Sequence, residues 1–183
     1  MTLYLDMDGV IADFFTAFAE ANNVKHWKSI KDKERALVEA RNTDFFNRID
    51  VFPTSQKLID FVRSTGDWGI CSSPLRGDTM NSAYWKRVWL ERHGFMPDVE
   101  KCIFTGNKHK YAINRLTGKP NILVDDKPDN IKRWIDAGGI GIRYQADEDS
   151  VDELIKNLKK VADNKVTVNG NTFLMKFCFV LSL

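Results

Sequence analysis

The sequence predicts an α/β protein: a parallel sheet with helices on both faces and a small helical insertion after the first strand. Three observations carry that expectation. Short apolar runs alternate with longer amphipathic ones, the order that strand–helix–strand units leave in a sequence. The short runs are apolar or β-rich throughout, as strands covered on both faces are. Between residues 13 and 52 the chain offers helix-like sequence and no convincing strand, more than a direct crossover needs.

Taken in order, the first strand is expected over Leu3 to Met7, where Leu-Tyr-Leu leads into Asp6-Met7-Asp8 and Gly9 ends the run in a turn. The insertion follows, with helix-like stretches at Phe14 to Asn22 and Lys31 to Arg41. A helix over Pro53 to Ser64 leads to the second strand, Trp68 to Cys71. A helix over Thr79 to His93 leads to the third, Cys102 to Thr105. Trp85 and Trp89, four apart, share one face of that helix and read as packing residues. Tyr111 to Leu116 reads as a short helix before the fourth strand, Ile122 to Val124. Pro128 suits the first turn of a helix running to Ala137, because proline has no amide hydrogen to leave unpaired there. A fifth strand over Ile140 to Arg143 and a helix over Val151 to Ala162 complete the alternation.

The tail departs from this pattern. Val166 to Thr172 contains Asn169-Gly170, the pair typical of a two-residue hairpin turn. The apolar run from Phe173 to Leu183 is too short to span a bilayer. An added edge hairpin, an oligomer contact such as that of a homodimer, and a poorly ordered end are all open for residues 166–183.

At 183 residues, 43% hydrophobic and 28% charged, the chain has material for one globular core. A formal charge of +2 is too small for binding nucleic acid through a basic face, so no stable nucleic-acid partner is expected. Asp6 and Asp8 interrupt the apolar start, which makes a poor signal peptide. No stretch reaches the roughly 18 apolar residues of a membrane helix. Cys71, Cys102 and Cys178 fit neither a disulfide framework nor a zinc site. The expectation is a reduced, soluble, cytoplasmic protein without a membrane partner.

In an open parallel sheet, ligands bind beyond the carboxyl ends of the strands. Asp6 and Asp8 follow the first strand, Ser72 and Ser73 the second, Lys108 the third, and Asp125 and Asp126 the fourth. Residues two apart on an extended chain point the same way, so Asp6 and Asp8 can address one ligand. Gathered carboxylates need a cation or proton to offset them, and Mg²⁺ suits one or two carboxylates, waters and a substrate phosphate. A lysine and a serine hydroxyl then serve as phosphate ligands. One aspartate can attack phosphorus, while a second acid protonates the leaving alcohol and later activates water. That set reads as a phosphoryl-transfer site.

Asp6-Met7-Asp8-Gly9-Val10 at the first strand, Ser72 at the second, Lys108, and Asp125-Asp126 at the fourth resemble the four motifs of the haloacid dehalogenase (HAD) superfamily of phosphatases. DMDGVIADF, ICSSP and ILVDDKP further resemble the 5′(3′)-deoxyribonucleotidases and their bacterial and phage relatives. The resemblance covers about residues 3 to 145. It implies a Rossmann-like HAD core over residues 1–13 and 53–165, with a small helical cap over residues 14–52. It implies Asp6 as nucleophile and Asp8 as general acid/base, with Mg²⁺ held by the Asp6 side chain, the Asp8 carbonyl and Asp126, and Asp125 as a ligand or a support behind it. Ser72 and Lys108 would hold the transferred phosphoryl group. Ser73 would be a further polar contact, and Phe14 and Phe46 would line the pocket of a nucleotide substrate. One departure stands out. Gly106 occupies the place of an arginine that human relatives carry near the phosphate, so that contact is absent or comes from elsewhere, with Arg76 and Lys110 as candidates.

Two other activities fit parts of the pattern. A HAD phosphatase for another small phosphorylated metabolite, or for a nucleic-acid 3′-phosphate end, uses the same motifs. A phospho-accepting receiver module also gathers acids, a hydroxyl and a lysine around Mg²⁺. Receivers resemble a scheme with the acid pair at the first strand and the phosphorylated acid at the third, whereas here the acid pair is at the fourth.

Overall fold

The computed structural model describes residues 1–163, 165–168 and 171–174. Five parallel strands, β1 (Leu3–Leu5), β2 (Trp68–Ser72), β3 (Cys102–Phe104), β4 (Ile122–Asp125) and β5 (Ile140–Arg143), lie in the order β3-β2-β1-β4-β5. The strand at the centre, β1, registers Leu5 against Ile70 on one side and Val124 on the other. Its residues are buried on both faces, which explains why it shows no apolar–polar alternation. Leu3, Leu5, Ile70, Ile122 and Val124 face a large core with α3 (Ser55–Ser64), α4 (Thr79–Arg92) and α6 (Val151–Asp163). Tyr4, Cys71 and Leu123 point the other way, onto Ile131 and Trp134 of α5 (Pro128–Asp136). Helices therefore cover both faces. The strand order reverses between β1 and β4, which opens a crevice at their carboxyl ends.

Residues 14–52 hold α1 (Phe14–Ala21) and α2 (Lys33–Glu39), with 3-10 turns at Trp27–Ser29 and Phe45–Asn47. Asp13 caps α1 by accepting from the Thr16 amide at 3.1 Å, and Asp32 caps α2 by accepting from Arg35 at 2.9 Å. The segment leaves and rejoins the sheet side by side: the Asp13 amide donates to the Asp50 carbonyl at 2.8 Å, and the Ser55 hydroxyl to that of Ile11 at 2.7 Å. Phe18, Ile30, Ala36, Phe45, Phe46 and Ile49 fill its interior and continue into the core beneath α3 and α4.

One expected helix is absent. Tyr111 to Leu116 does not form it; a 3-10 turn covers Lys108–Tyr111 instead, followed by a bridge between Ile113 and Pro120. The Asn114 carboxamide takes the amides of Leu116 and Thr117, a local turn that competes with helix formation. In the tail, β6 (Lys165–Val168) pairs antiparallel with β7 (Asn171–Leu174), with Val168 opposite Asn171. The turn expected at Asn169-Gly170 and the apolar run over residues 175–183 lie outside the described residues. Among the described residues no helix is long and apolar enough to cross a membrane, and Cys71 and Cys102 are free and buried.

The α5 face closes on Trp134, fully buried and donating from its indole nitrogen to the Asn121 carbonyl at 3.1 Å. Gly139 passes directly against that ring, and a Cβ there would overlap the indole. Gly139→Ala is therefore expected to lower the unfolding free energy by about 1–3 kcal/mol, the range for overpacking a dense core. Urea denaturation measures it, and an unchanged midpoint would mean that the ring can move.

Candidate active site

Every polar position singled out at a strand end arrives at the same rim. Asp6 follows β1, with its amide on the Val124 carbonyl of β4 at 2.9 Å. Asp125 ends β4, Asp126 follows it, and Pro128 then opens α5. Ser72 ends β2, and Lys108 starts the 3-10 turn after β3. The turn after Asp8 needs glycine for two reasons. Gly9 has φ +76°, a left-handed conformation that side chains resist, and a Cβ on it would sit 2.9 Å from the Asp126 carboxyl carbon. The glycine lets the first motif lie against the fourth.

Asp6, Asp125 and Asp126 are all buried and offer carboxylate oxygens within 4.8 Å of one another. Lys108, 3% exposed, bridges two of them, lying 2.8 Å from Asp6 Oδ2 and 2.6 Å from Asp125 Oδ2. Asp125 is fully engaged. Its oxygens also accept from the Lys127 amide at 2.9 Å and from the Asn130 carboxamide at 3.1 Å. Asp126 differs: its Oδ1 is buried with no hydrogen-bond partner among the described residues.

The charges respond accordingly. Burial pushes the Asp6 carboxyl up, but Lys108 and Lys86 together outweigh it and hold the group below the usual carboxylate range. Burial, then repulsion from Asp6, raises Asp125. Asp126 is pushed up to about 8, first by burial and then by Asp6 and Asp125. Three buried acids thus gather around one lysine that bridges two of them, and the acid with an orphaned oxygen is held well above the usual carboxylate range. Oxygen donors around that deficit of positive charge fit a hard cation such as Mg²⁺.

A second buried cation, Lys86, stands in the site and was not anticipated. It lies on α4 and is fully buried. Its Nζ donates to Asp8 Oδ2 at 2.6 Å, to Ser72 Oγ at 2.9 Å and to the Ser73 carbonyl at 3.0 Å. The sequence carries little signal for it: Ser82, Lys86, Trp89 and Leu90 form the buried stripe of the helix, but two of the four are polar, and only burial shows that this lysine needs a partner. Arg76 and Lys110, the candidates for a cation near the phosphate, are both exposed. The Ser73 hydroxyl turns to the Thr105 carbonyl at 3.3 Å. Phe46 reaches the site, with Lys86 Nζ 4.8 Å from its ring centre, but it is buried and offers little surface. Phe14 is half-buried, and its ring lies nearly parallel to that of Phe46 at 6.4 Å. Phe15, not marked in advance, covers Gly9 and stacks on Trp27 at 4.9 Å.

No family model matches the chain. It is 30% identical over 147 residues to "Putative 5'(3')-deoxyribonucleotidase" of Bordetella pertussis, covering 70% of this chain and 75% of that protein. The protein of the same name from Bordetella bronchiseptica is 29% identical over the same coverage. Among solved structures, a HAD-superfamily hydrolase from Ehrlichia chaffeensis superposes with TM-score 0.55 at 12% identity, covering 88% of this chain and 97% of that one. A "predicted phosphatase" from Clostridium acetobutylicum gives 0.52 at 15% identity, over 87% and 98%. A HAD family hydrolase from Deinococcus radiodurans with bound phosphate and sodium gives 0.51 at 11%, over 86% and 87%. These structures show that the fold is shared.

The position of Asp126 has a consequence for stability. A carboxyl held near 8 in the folded chain, against 3.8 when free, favours the protonated fold. That contribution is complete below about pH 4 and is lost as pH rises through about 8. In EDTA, the melting temperature of wild type relative to Asp126→Asn is therefore expected to fall steadily across that window. A flat difference would mean that Asp126 titrates like an exposed acid.

Proposed function

Because the chain belongs to the HAD superfamily of phosphatases, in the family of the 5′(3′)-deoxyribonucleotidase relatives, we propose that it is a Mg²⁺-dependent phosphatase of (deoxy)nucleoside monophosphates. That it is a phosphoric monoester hydrolase follows from the family. The metal, the substrate and the residue roles are the proposal.

The observation that carries it is the buried group of Asp6, Asp125 and Asp126 with Lys108 between Asp6 and Asp125. Lys108 keeps Asp6 ionised, as a nucleophile must be, although burial alone would protonate it. An Asp6 oxygen attacks phosphorus, the bond from phosphorus to the ester oxygen breaks, and the departing alcohol takes a proton from Asp8. Asp8 then removes a proton from water, whose oxygen attacks phosphorus and releases phosphate from Asp6. Ser72 and Lys108 hold the phosphoryl oxygens in both steps. Asp6, the Asp8 carbonyl and Asp126 would hold Mg²⁺, which when bound offsets the carboxylates and polarises the phosphoryl group. Asp125, with both oxygens committed to Lys108, Lys127 and Asn130, supports from behind.

The nucleotide reading is supported by the names of the Bordetella relatives and by the aromatic rings of the insertion. Phe46 is buried against Lys86, so of these two rings the one with surface left for a base is Phe14. Base stacking on an aromatic side chain contributes about 1–3 kcal/mol.

Two measurements test this. Phosphate release from Asp6→Asn is expected at background, since an amide can neither attack phosphorus nor offset a cation. EDTA is likewise expected to stop the wild type, with Mg²⁺ restoring it; clear turnover by the variant would remove Asp6 from its role. Phe14→Leu keeps most of the packing volume but loses the flat ring. It is expected to raise KM for a deoxynucleoside monophosphate about tenfold, or about 1.4 kcal/mol, while hydrolysis of p-nitrophenyl phosphate stays unchanged. Equal losses on both substrates would mean that Phe14 only packs the insertion.

A further inference from the structure

We propose that Lys86 is a positioning residue for this reaction, holding the Asp8 carboxylate and the Ser72 hydroxyl in the orientations that proton transfer and phosphoryl binding require. The inference rests on the reading of Asp6 and Asp8 above and extends it to a residue outside the four motifs.

An ammonium has three N–H donors, and Lys86 has three partners: Asp8 Oδ2 at 2.6 Å, Ser72 Oγ at 2.9 Å and the Ser73 carbonyl at 3.0 Å. With the Phe46 ring 4.8 Å away and no exposed surface, it has no donor left for a substrate. It acts through its neighbours. The tie to Oδ2 fixes the Asp8 carboxylate and leaves Oδ1, which has no partner among the described residues, as the free oxygen. Because Ser72 Oγ accepts from Lys86, its own hydrogen is left free to donate to a phosphoryl oxygen.

Packing alone does not explain a lysine here. Position 86 lies on the buried stripe with Ser82, Trp89 and Leu90, and burying an ammonium costs several kcal/mol before its partners offset it. An apolar residue would fill that stripe without this cost. Lys108 does not duplicate the role, since its contacts are with Asp6 and Asp125. The two lysines divide the direct contacts of the site: Lys108 bonds the nucleophile, Lys86 the acid/base, while the charge of both favours an ionised Asp6.

The test is a double-mutant cycle of Lys86→Met with Asp8→Asn, together with pre-steady-state hydrolysis of p-nitrophenyl phosphate. Nitrophenolate leaves without needing a proton, so phosphorylation of Asp6 should survive in Lys86→Met. The later attack by water depends on Asp8 and should slow. The expected result is a retained burst of nitrophenolate, near one equivalent per site, followed by turnover about 10²-fold below wild type. In the Asp8→Asn background, Lys86→Met should cost no more than about threefold further, the share that passes through Ser72, because the rest of its effect passes through Asp8. Burst and turnover falling together, fully additive losses, or wild-type turnover in Lys86→Met would each overturn the proposal. Should Lys86→Met not fold, the variant carrying both changes removes both charges at once, and Lys86→Gln supplies the single. If Asp8→Asn itself turns over like wild type, the acid/base reading fails and this one with it. Loss in Asp8→Asn without loss in Lys86→Met defeats this inference alone.

Discussion

The structure depends on one expensive arrangement, the burial of Asp6, Asp125 and Asp126 within 4.8 Å of one another. Like charges in a region of low dielectric repel strongly, and each carboxylate loses its hydration on burial. Lys108 offsets part of this by lying between Asp6 and Asp125, and the Lys127 amide and Asn130 complete the shell of Asp125. Among the described residues nothing comparable serves Asp126 Oδ1, and this carboxyl is pushed up to about 8. The site is balanced for the nucleophile and left short of positive charge on the side where a cation would bind.

That arrangement sets demands on the surrounding fold. The acids come together because the strand order reverses between β1 and β4, so two strand ends flank one crevice. Gly9 allows the turn after β1 to press against Asp126 without a Cβ in the way. The order β3-β2-β1-β4-β5 also separates this chain from receiver modules, whose flavodoxin-like sheets run 2-1-3-4-5. The acids and lysine of the two could be confused in a list of residues, but not in the order of their strands.

The insertion is tied into the same network rather than resting on it. Its buried rings continue into the core under α4, and Phe46 lies beneath the Lys86 ammonium that holds Asp8. On its far side, Asp78 accepts from the Asn42 amide at 3.2 Å and from Asn81 at 2.9 Å, while Asn81 also donates to the Thr43 carbonyl. Helix α4 therefore contacts the insertion through Asn81 and the acid/base through Lys86, two residues on one rigid element.

The amino-acid sequence by itself determined the five strands, six helices and the polar residues at the strand ends, because these depend on local apolar patterning and turn chemistry. It misjudged Tyr111 to Leu116, where the Asn114 side chain captures nearby amides and a turn replaces the helix. It also passed over Lys86, since a lysine between tryptophans on a helix reads as surface until the face it occupies is known to be buried. Tertiary structure alone decided which of the two β4 acids is saturated and which keeps a free oxygen. It decided as well that Phe46 is spent on packing while Phe14 keeps some surface. The physical reason is common to these cases. Burial and hydrogen-bond partners come from residues far apart in the chain, such as Lys86 and Asp8 or Lys108 and Asp6, and no local pattern encodes which of them meet.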